Sequence, residues 1–144
     1  MGAVNFESPS VQSYLEILQG VITRMATNSA NAKSWCVALV SAILVIVADK
    51  SRPEYIWIAG VPVVLFFALD AYYLGLERLL RSLYNDFIRK LHGGSATIED
   101  VFIVSPGNGR QIVRAAGEAA GSFSIWPFYS LLACMLVLVK VWIL

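Results

Sequence analysis

The last twenty residues, 125–144, form an apolar run with a single charge, Lys140, near its end. An α-helix rises about 1.5 Å per residue, so such a run matches a hydrocarbon core of roughly 30 Å. This constrains the rest of the chain. A segment solvated by lipid implies a membrane protein, in which each polar residue near an apolar stretch becomes a candidate for function. Composition agrees, with 58% of residues hydrophobic and 15% charged, a balance far more apolar than an ordinary globular domain. The net charge of +1 gives nucleic-acid binding no electrostatic support.

The expected architecture is an all-α membrane protein in a single domain, 1–144. It has three transmembrane helices, an N-terminal amphipathic helix and a cytoplasmic helical extension of the second span. Residues 8–33 read as the amphipathic helix. Ser8 suits the cap and Pro9 the first helical position, while Val11, Tyr14, Leu15, Leu18, Ile22 and Met25 recur at three-and-four spacing. The first span is 35–48 and the second is 55–76, where Pro62 predicts a kink. The polar stretch 49–54 is so short that the two spans must be antiparallel neighbours. Residues 77–92 carry the helix onward, with Leu76, Leu79, Leu80, Leu83, Phe87 and Leu91 as its stripe and Gly93-Gly94 as its end. Residues 93–124 form a cytoplasmic linker. Within it, 97–104 suits a short strand or extended coil, 105–109 a turn and 110–121 a short helix. The third span is 125–144.

Lysine and arginine placement sets the orientation. Segment 77–124 holds Arg78, Arg81, Arg89, Lys90, Arg110 and Arg114, and the N-terminal helix adds Arg24 and Lys33. The turn after the first span holds only Lys50 and Arg52. The basic side is expected inside, with the N-terminus in the cytoplasm of a bacterial inner membrane and the C-terminus outside. Trp35, Trp57, Trp126 and Trp142 fall near span ends, as an aromatic belt requires. Lys33 and Lys140 are expected to snorkel toward water. The N-terminus lacks the basic region and apolar core of a secretory signal. Phe6 stands where a myristoylation pattern after Gly2 needs serine or threonine. Cys36 and Cys134 lie in apolar spans without metal-ligand spacing and read as buried packing residues.

No catalytic constellation is present, so neither an enzyme nor a cofactor is expected. His92 is the only histidine, which excludes a multi-histidine metal site. Its place beside Gly93-Gly94 suits helix capping better than proton chemistry. Residues 105–110 resemble an anion-binding turn but lack the lysine-serine or lysine-threonine ending of a phosphate loop. Asp70 is the sharpest single residue. A carboxylate in an apolar helix is costly unless paired, hydrated or protonated. It reads as a gate, a pore lining or an interhelical contact in a homo-oligomer, or else as a carboxylate reaching the interface. Glu77 and Arg81 share its helical face, making the three pore or switch candidates; a solvated stripe gives the same pattern. On this reading Asp70→Asn abolishes activity, whereas Asp70→Leu leaves the fold as stable or more so. Arg78, Arg89, Lys90, Arg110 and Arg114 are candidates for an anionic ligand such as phosphate, nucleotide or lipid head group. Positive-inside topology produces the same cluster.

Several stretches together resemble a family of small bacterial membrane proteins. They are RMATNS at 24–29, KSWCVALVSA at 33–42, LDAYYL at 69–74, ERLLRSLY at 77–84 and PFY at 127–129. The resemblance implies partnership with TIR-domain or nucleotide-signalling proteins in antiviral defence. The layout is also similar to SLATT-type two-transmembrane effectors, with a third span added and no long cytoplasmic coiled coil. The expected function is a homo-oligomeric effector that disrupts membrane integrity when a cytoplasmic partner or nucleotide signals. The alternatives are a non-conducting anchor or scaffold, and a small ion or proton transporter using Asp70. Membrane lipid is an expected partner and nucleic acid is not.

Overall fold

The three-and-four spacing of the first helix continues past Ser34 without a break. In the structure, a computed structural model that describes residues 7–49 and 53–142, helix α1 runs from Pro9 to Asp49 as one element. Its buried residues are Val11, Tyr14, Leu18, Ile22, Ser29, Ala32, Cys36, Val40 and Val47. Val11 and Val47 are about ten helical turns apart, so the same face is buried along the whole length. The expected boundary between 8–33 and 35–48 is therefore a change in the exposed face alone. Polar residues occupy that face before Ser34 and apolar ones after it. Gly2, Phe6, Lys50, Arg52 and the last two residues of the 125–144 run lie outside the described residues, as does the side chain of Trp142.

Residues 53–59 form a 3₁₀ helix, and α2 follows from Gly60 to His92. Pro62 thus falls in the first α-helical turn, where backbone amides have no intrahelical acceptor to lose. The expected break at Pro62 is instead a change of helix type just before it, from 3₁₀ to α at Gly60. The continuation through 77–92 is present, and α2 ends at the paired glycines. Gly94 takes φ = 65°, and the Ser95 amide returns to the Lys90 carbonyl at 2.9 Å. Helices α1 and α2 are antiparallel. Val11, Tyr14 and Leu18 meet Phe87 and Leu91 at one end, and toward the other the Cys36 thiol reaches the Pro62 carbonyl at 3.8 Å.

The rest of the chain runs back along this hairpin in two pieces. Residues 97–104 form no strand: Ile98–Asp100 is a 3₁₀ turn, and the remainder is turn and coil. Tyr14 fastens this segment, its hydroxyl donating to the Ile103 carbonyl at 2.5 Å and its ring meeting Phe102 at 6.0 Å. Phe102 is held at φ = 69°, a left-handed conformation that costs a bulky residue about 1–2 kcal/mol. Asn108 then opens helix α3, Gly109–Ala120, by a reciprocal cap with Gln111, whose amide and side-chain oxygen lie 3.0 and 2.9 Å from their Asn108 partners. Helix α3 packs against α2 at Gly75. A Cβ there would lie 2.7 Å from the Ala116 amide nitrogen, so only glycine admits the approach. Helix α4, Trp126–Trp142, packs on the first half of α2 through Tyr129 and Phe67, edge to face at 5.4 Å.

Among the described residues the fold is thus entirely helical, with two long apolar helices and one shorter one. Two apolar cores lie along the hairpin. One gathers Cys36, Val40, Val63, Ala71, Ile125 and Tyr129; the other lies at the far end around Tyr14 and Phe87. Cys134, expected to be buried, is exposed on α4, because the face of that helix turned to α2 is set by Tyr129 and Leu132.

Candidate functional site

Between the two cores lies a polar cluster that three helices assemble. Ser29 and Lys33, one turn apart, extend the buried face of α1. Asp70 faces them from α2 and is 0% exposed. The Ser29 hydroxyl donates to Oδ1 of Asp70. Lys33 Nζ lies 2.5 Å from Oδ2. The lysine approaches that oxygen off the hydrogen-bond axis, so Oδ2 is ion-paired yet accepts no well-directed hydrogen bond. The Tyr129 hydroxyl of α4 donates to the Phe66 carbonyl at 3.0 Å and stands within electrostatic reach of the carboxylate.

Burial decides the energetics here. In a medium of low dielectric an isolated carboxylate costs far more than a paired one, and the Coulombic gain offsets desolvation only in good geometry. Asp70 has a cation on one oxygen and a hydroxyl on the other. The pair is stable as a unit, and each member becomes costly when the other is withdrawn. Two expectations change as a result. Lys33 does not snorkel: its side chain turns inward and is 22% exposed. The partner of Asp70 comes from the same chain, so its charge does not require an oligomer. Asp70→Leu is consequently no simple gain, because it strands Lys33.

Glu77 and Arg81 do lie on the Asp70 side of α2, two and three turns on, but they form their own unit. Arg81 binds Glu77 Oε1 through Nε and Nη2 at 3.0 and 2.8 Å. Asp70 and Glu77 each have their own cation, and Asp70 is fully covered by the described residues. Three of the anionic-ligand candidates are likewise paired with acids of the same chain. Arg89 pairs with Asp86, Lys90 with Asp100 at 2.6 Å, and Arg114 with Glu118 at 2.9 Å. Arg78 and Arg110 are exposed. Among the described residues, no three of histidine, cysteine, aspartate and glutamate gather as metal ligands.

At the far end of the hairpin Asp100 links α2 to the linker. Lys90, together with the Thr97 amide and hydroxyl, holds its carboxyl down at about 2. The neighbouring Tyr14 hydroxyl is pushed above its ordinary value, first by burial and then by the Asp100 charge.

Sequence reasoning missed Ser29, Lys33 and Tyr129 as companions of Asp70. The signal for the first two was available. Continuing the stripe from Ile22 by three-and-four steps reaches Ser29, Ala32 and Cys36, with Lys33 one turn after Ser29. Tyr129 carried no comparable signal, since the facing of α4 depends on tertiary packing. The chain matches no protein-family model, no curated protein and no solved structure.

Proposed function

We propose that this chain is a three-span membrane effector, held closed by the Lys33–Asp70 pair and released by a partner or nucleotide signal at the opposite end of the hairpin. The observation that carries the reading is Asp70, fully buried between two apolar cores and ion-paired to Lys33. Apolar side chains would join two helices as well as a buried ion pair does, or better. A charged pair adds a sharp difference between joined and parted states, which suits a switch.

The membrane assignment draws on exposure. In the most apolar stretches of the two long helices only 22% and 33% of residues are buried within the chain, whereas the core helix of a soluble protein is mostly covered. Trp35, Trp57 and Trp126 are all exposed beside these stretches, as interfacial tryptophans would be. About 21 Å of helix separates Trp126 from Lys140. That is short of roughly 30 Å, a mismatch met by local bilayer thinning and by side chains reaching outward. The basic residues of 77–124 then lie in the cytoplasm of a bacterial inner membrane. A single chain is sealed at Asp70, so disruption of the membrane requires several copies.

The test is a membrane-potential dye in cells expressing the wild type, Lys33→Met and the double variant Lys33→Met/Asp70→Leu. The single variant strands a buried carboxylate and should depolarise cells without any trigger, while the wild type and the double variant should not. An intact potential with Lys33→Met, at wild-type abundance in the membrane fraction, sinks the effector reading. It leaves a non-conducting scaffold, the function favoured by the intramolecular pairing of Arg89, Lys90 and Arg114.

A further inference from the structure

The first half of α2 and the second half of α4 do not close against each other. They leave an apolar groove of about 440 Å³, walled by Ile56, Val63, Val64, Leu136 and Val137. Its depth follows from two small residues. Gly60 has open space where a Cβ would stand, and Ala133 faces the groove from α4. At the mouth the Lys140 ammonium lies 4.3 Å from the centre of the Trp57 ring. A cation on a tryptophan face, at the end of an apolar channel, has the chemistry of the head-group level of a bilayer. From Lys140 to Ala133 the groove follows about 10 Å of helix, which is within the depth of one leaflet.

We propose that this groove binds an anionic phospholipid, one acyl chain lying along Gly60 and Ala133 and the phosphate meeting Lys140. The proposal rests on the membrane reading above. Charge complementarity selects the ligand: Lys140 is the sole charged residue of α4, and an acidic head group is the counter-charge the interface supplies. The apolar walls offer a chain contact without hydrogen bonds, which an acyl tail needs and a polar solute does not.

The test uses the full chain reconstituted in vesicles of equimolar phosphatidylglycerol and phosphatidylcholine. The protein is re-extracted in mild detergent, and retained phospholipid is measured by native mass spectrometry. The wild type should retain phosphatidylglycerol in preference to phosphatidylcholine. Lys140→Gln should lower that preference about fivefold, the factor one basic residue contributes at an anionic surface. Ala133→Phe and Gly60→Leu should fill the groove and abolish retention of both lipids while helicity and yield stay at wild-type values. Equal retention of the two lipids by the wild type overturns the inference. So does retention unchanged by Ala133→Phe, or a change of oligomeric state in that variant, which would mark the groove as the seat of a second copy. Recovery of the protein from the soluble fraction before reconstitution is a different failure, because it overturns the membrane reading itself.

Discussion

Removing Lys33 and removing Asp70 should have unequal costs, and the inequality can be worked from burial. Lys33→Met leaves the Asp70 carboxylate at 0% exposure without a cation, beside the Ser29 hydroxyl and within reach of that of Tyr129. Stranding a buried charge in this way costs about 3–5 kcal/mol. Asp70→Leu strands the lysine instead, but that side chain is already 22% exposed and has a flexible stem that can turn outward. Its cost should be roughly half as large, about 1.5–2.5 kcal/mol. The double variant Lys33→Met/Asp70→Leu removes both charges at nearly conserved volume and should return to within about 1 kcal/mol of the wild type. The coupling energy in this cycle is then larger than about 3 kcal/mol, well above the scatter expected of independent sites. The assay is unfolding of the purified protein in mixed micelles of rising dodecyl sulfate fraction, followed by helicity. Additive losses in the double variant would refute the reasoning, since they would mean that each residue is supported by something other than its partner.

Gly75→Ala should cost about 1–3 kcal/mol, because its Cβ meets the backbone of Ala115 and Ala116 at 2.9 and 2.7 Å, and a backbone yields less readily than a side-chain tip. Gly20→Ala is the control on α1, where nothing lies within 4 Å; it should gain up to about 1 kcal/mol from helix propensity alone. Both can be read in the same micelle titration, and equal effects would refute the close-approach argument. Asp100 predicts a pH response. Its carboxyl, at about 2, lies below its ordinary value, so its contribution is complete above about pH 4 and is lost as pH falls toward 2. Hydrogen exchange at residues 97–103 should therefore accelerate between pH 4 and pH 2 beyond the intrinsic rate. Asp100→Asn should flatten that change, and an unchanged profile in the variant would refute the assignment.

The hairpin was legible in the sequence because α1 and α2 bury one continuous stripe each and a short polar stretch joins them. The end of α2 was legible for a local reason, the left-handed conformation that Gly94 can take. The false boundary at Ser34 arose because hydropathy reports the exposed face, whereas helix continuity depends on the buried one. Asp70 could be singled out from composition alone. Its cation could not be chosen, since Lys33 satisfies an interfacial reading and a buried one equally well until α2 is set against α1. The groove beside Trp57 was not legible at all. Gly60, Ala133 and Lys140 are unremarkable singly, and only the packing angle of α4 brings them to one cleft.

Helix α1 contains no proline beyond its first residue, so no proline kink interrupts it. Its 41 residues make a rod of about 62 Å. Lys33 divides that rod into arms of roughly 36 Å toward Pro9 and 24 Å toward Asp49. A tilt of about 10° pivoting at Lys33 would carry the Pro9 end through about 6 Å, close to one turn of the neighbouring helix. The same tilt displaces side chains one turn from the pivot by only about 1 Å. Leverage therefore favours the distant end, where a modest force over several ångströms becomes a large force over the short distance that parts the Ser29 hydroxyl, one turn from Lys33, from the Asp70 carboxylate. On the proposed reading, a ligand grasping Tyr14 would act on the Ser29–Asp70 contact through the stiffness of α1 alone.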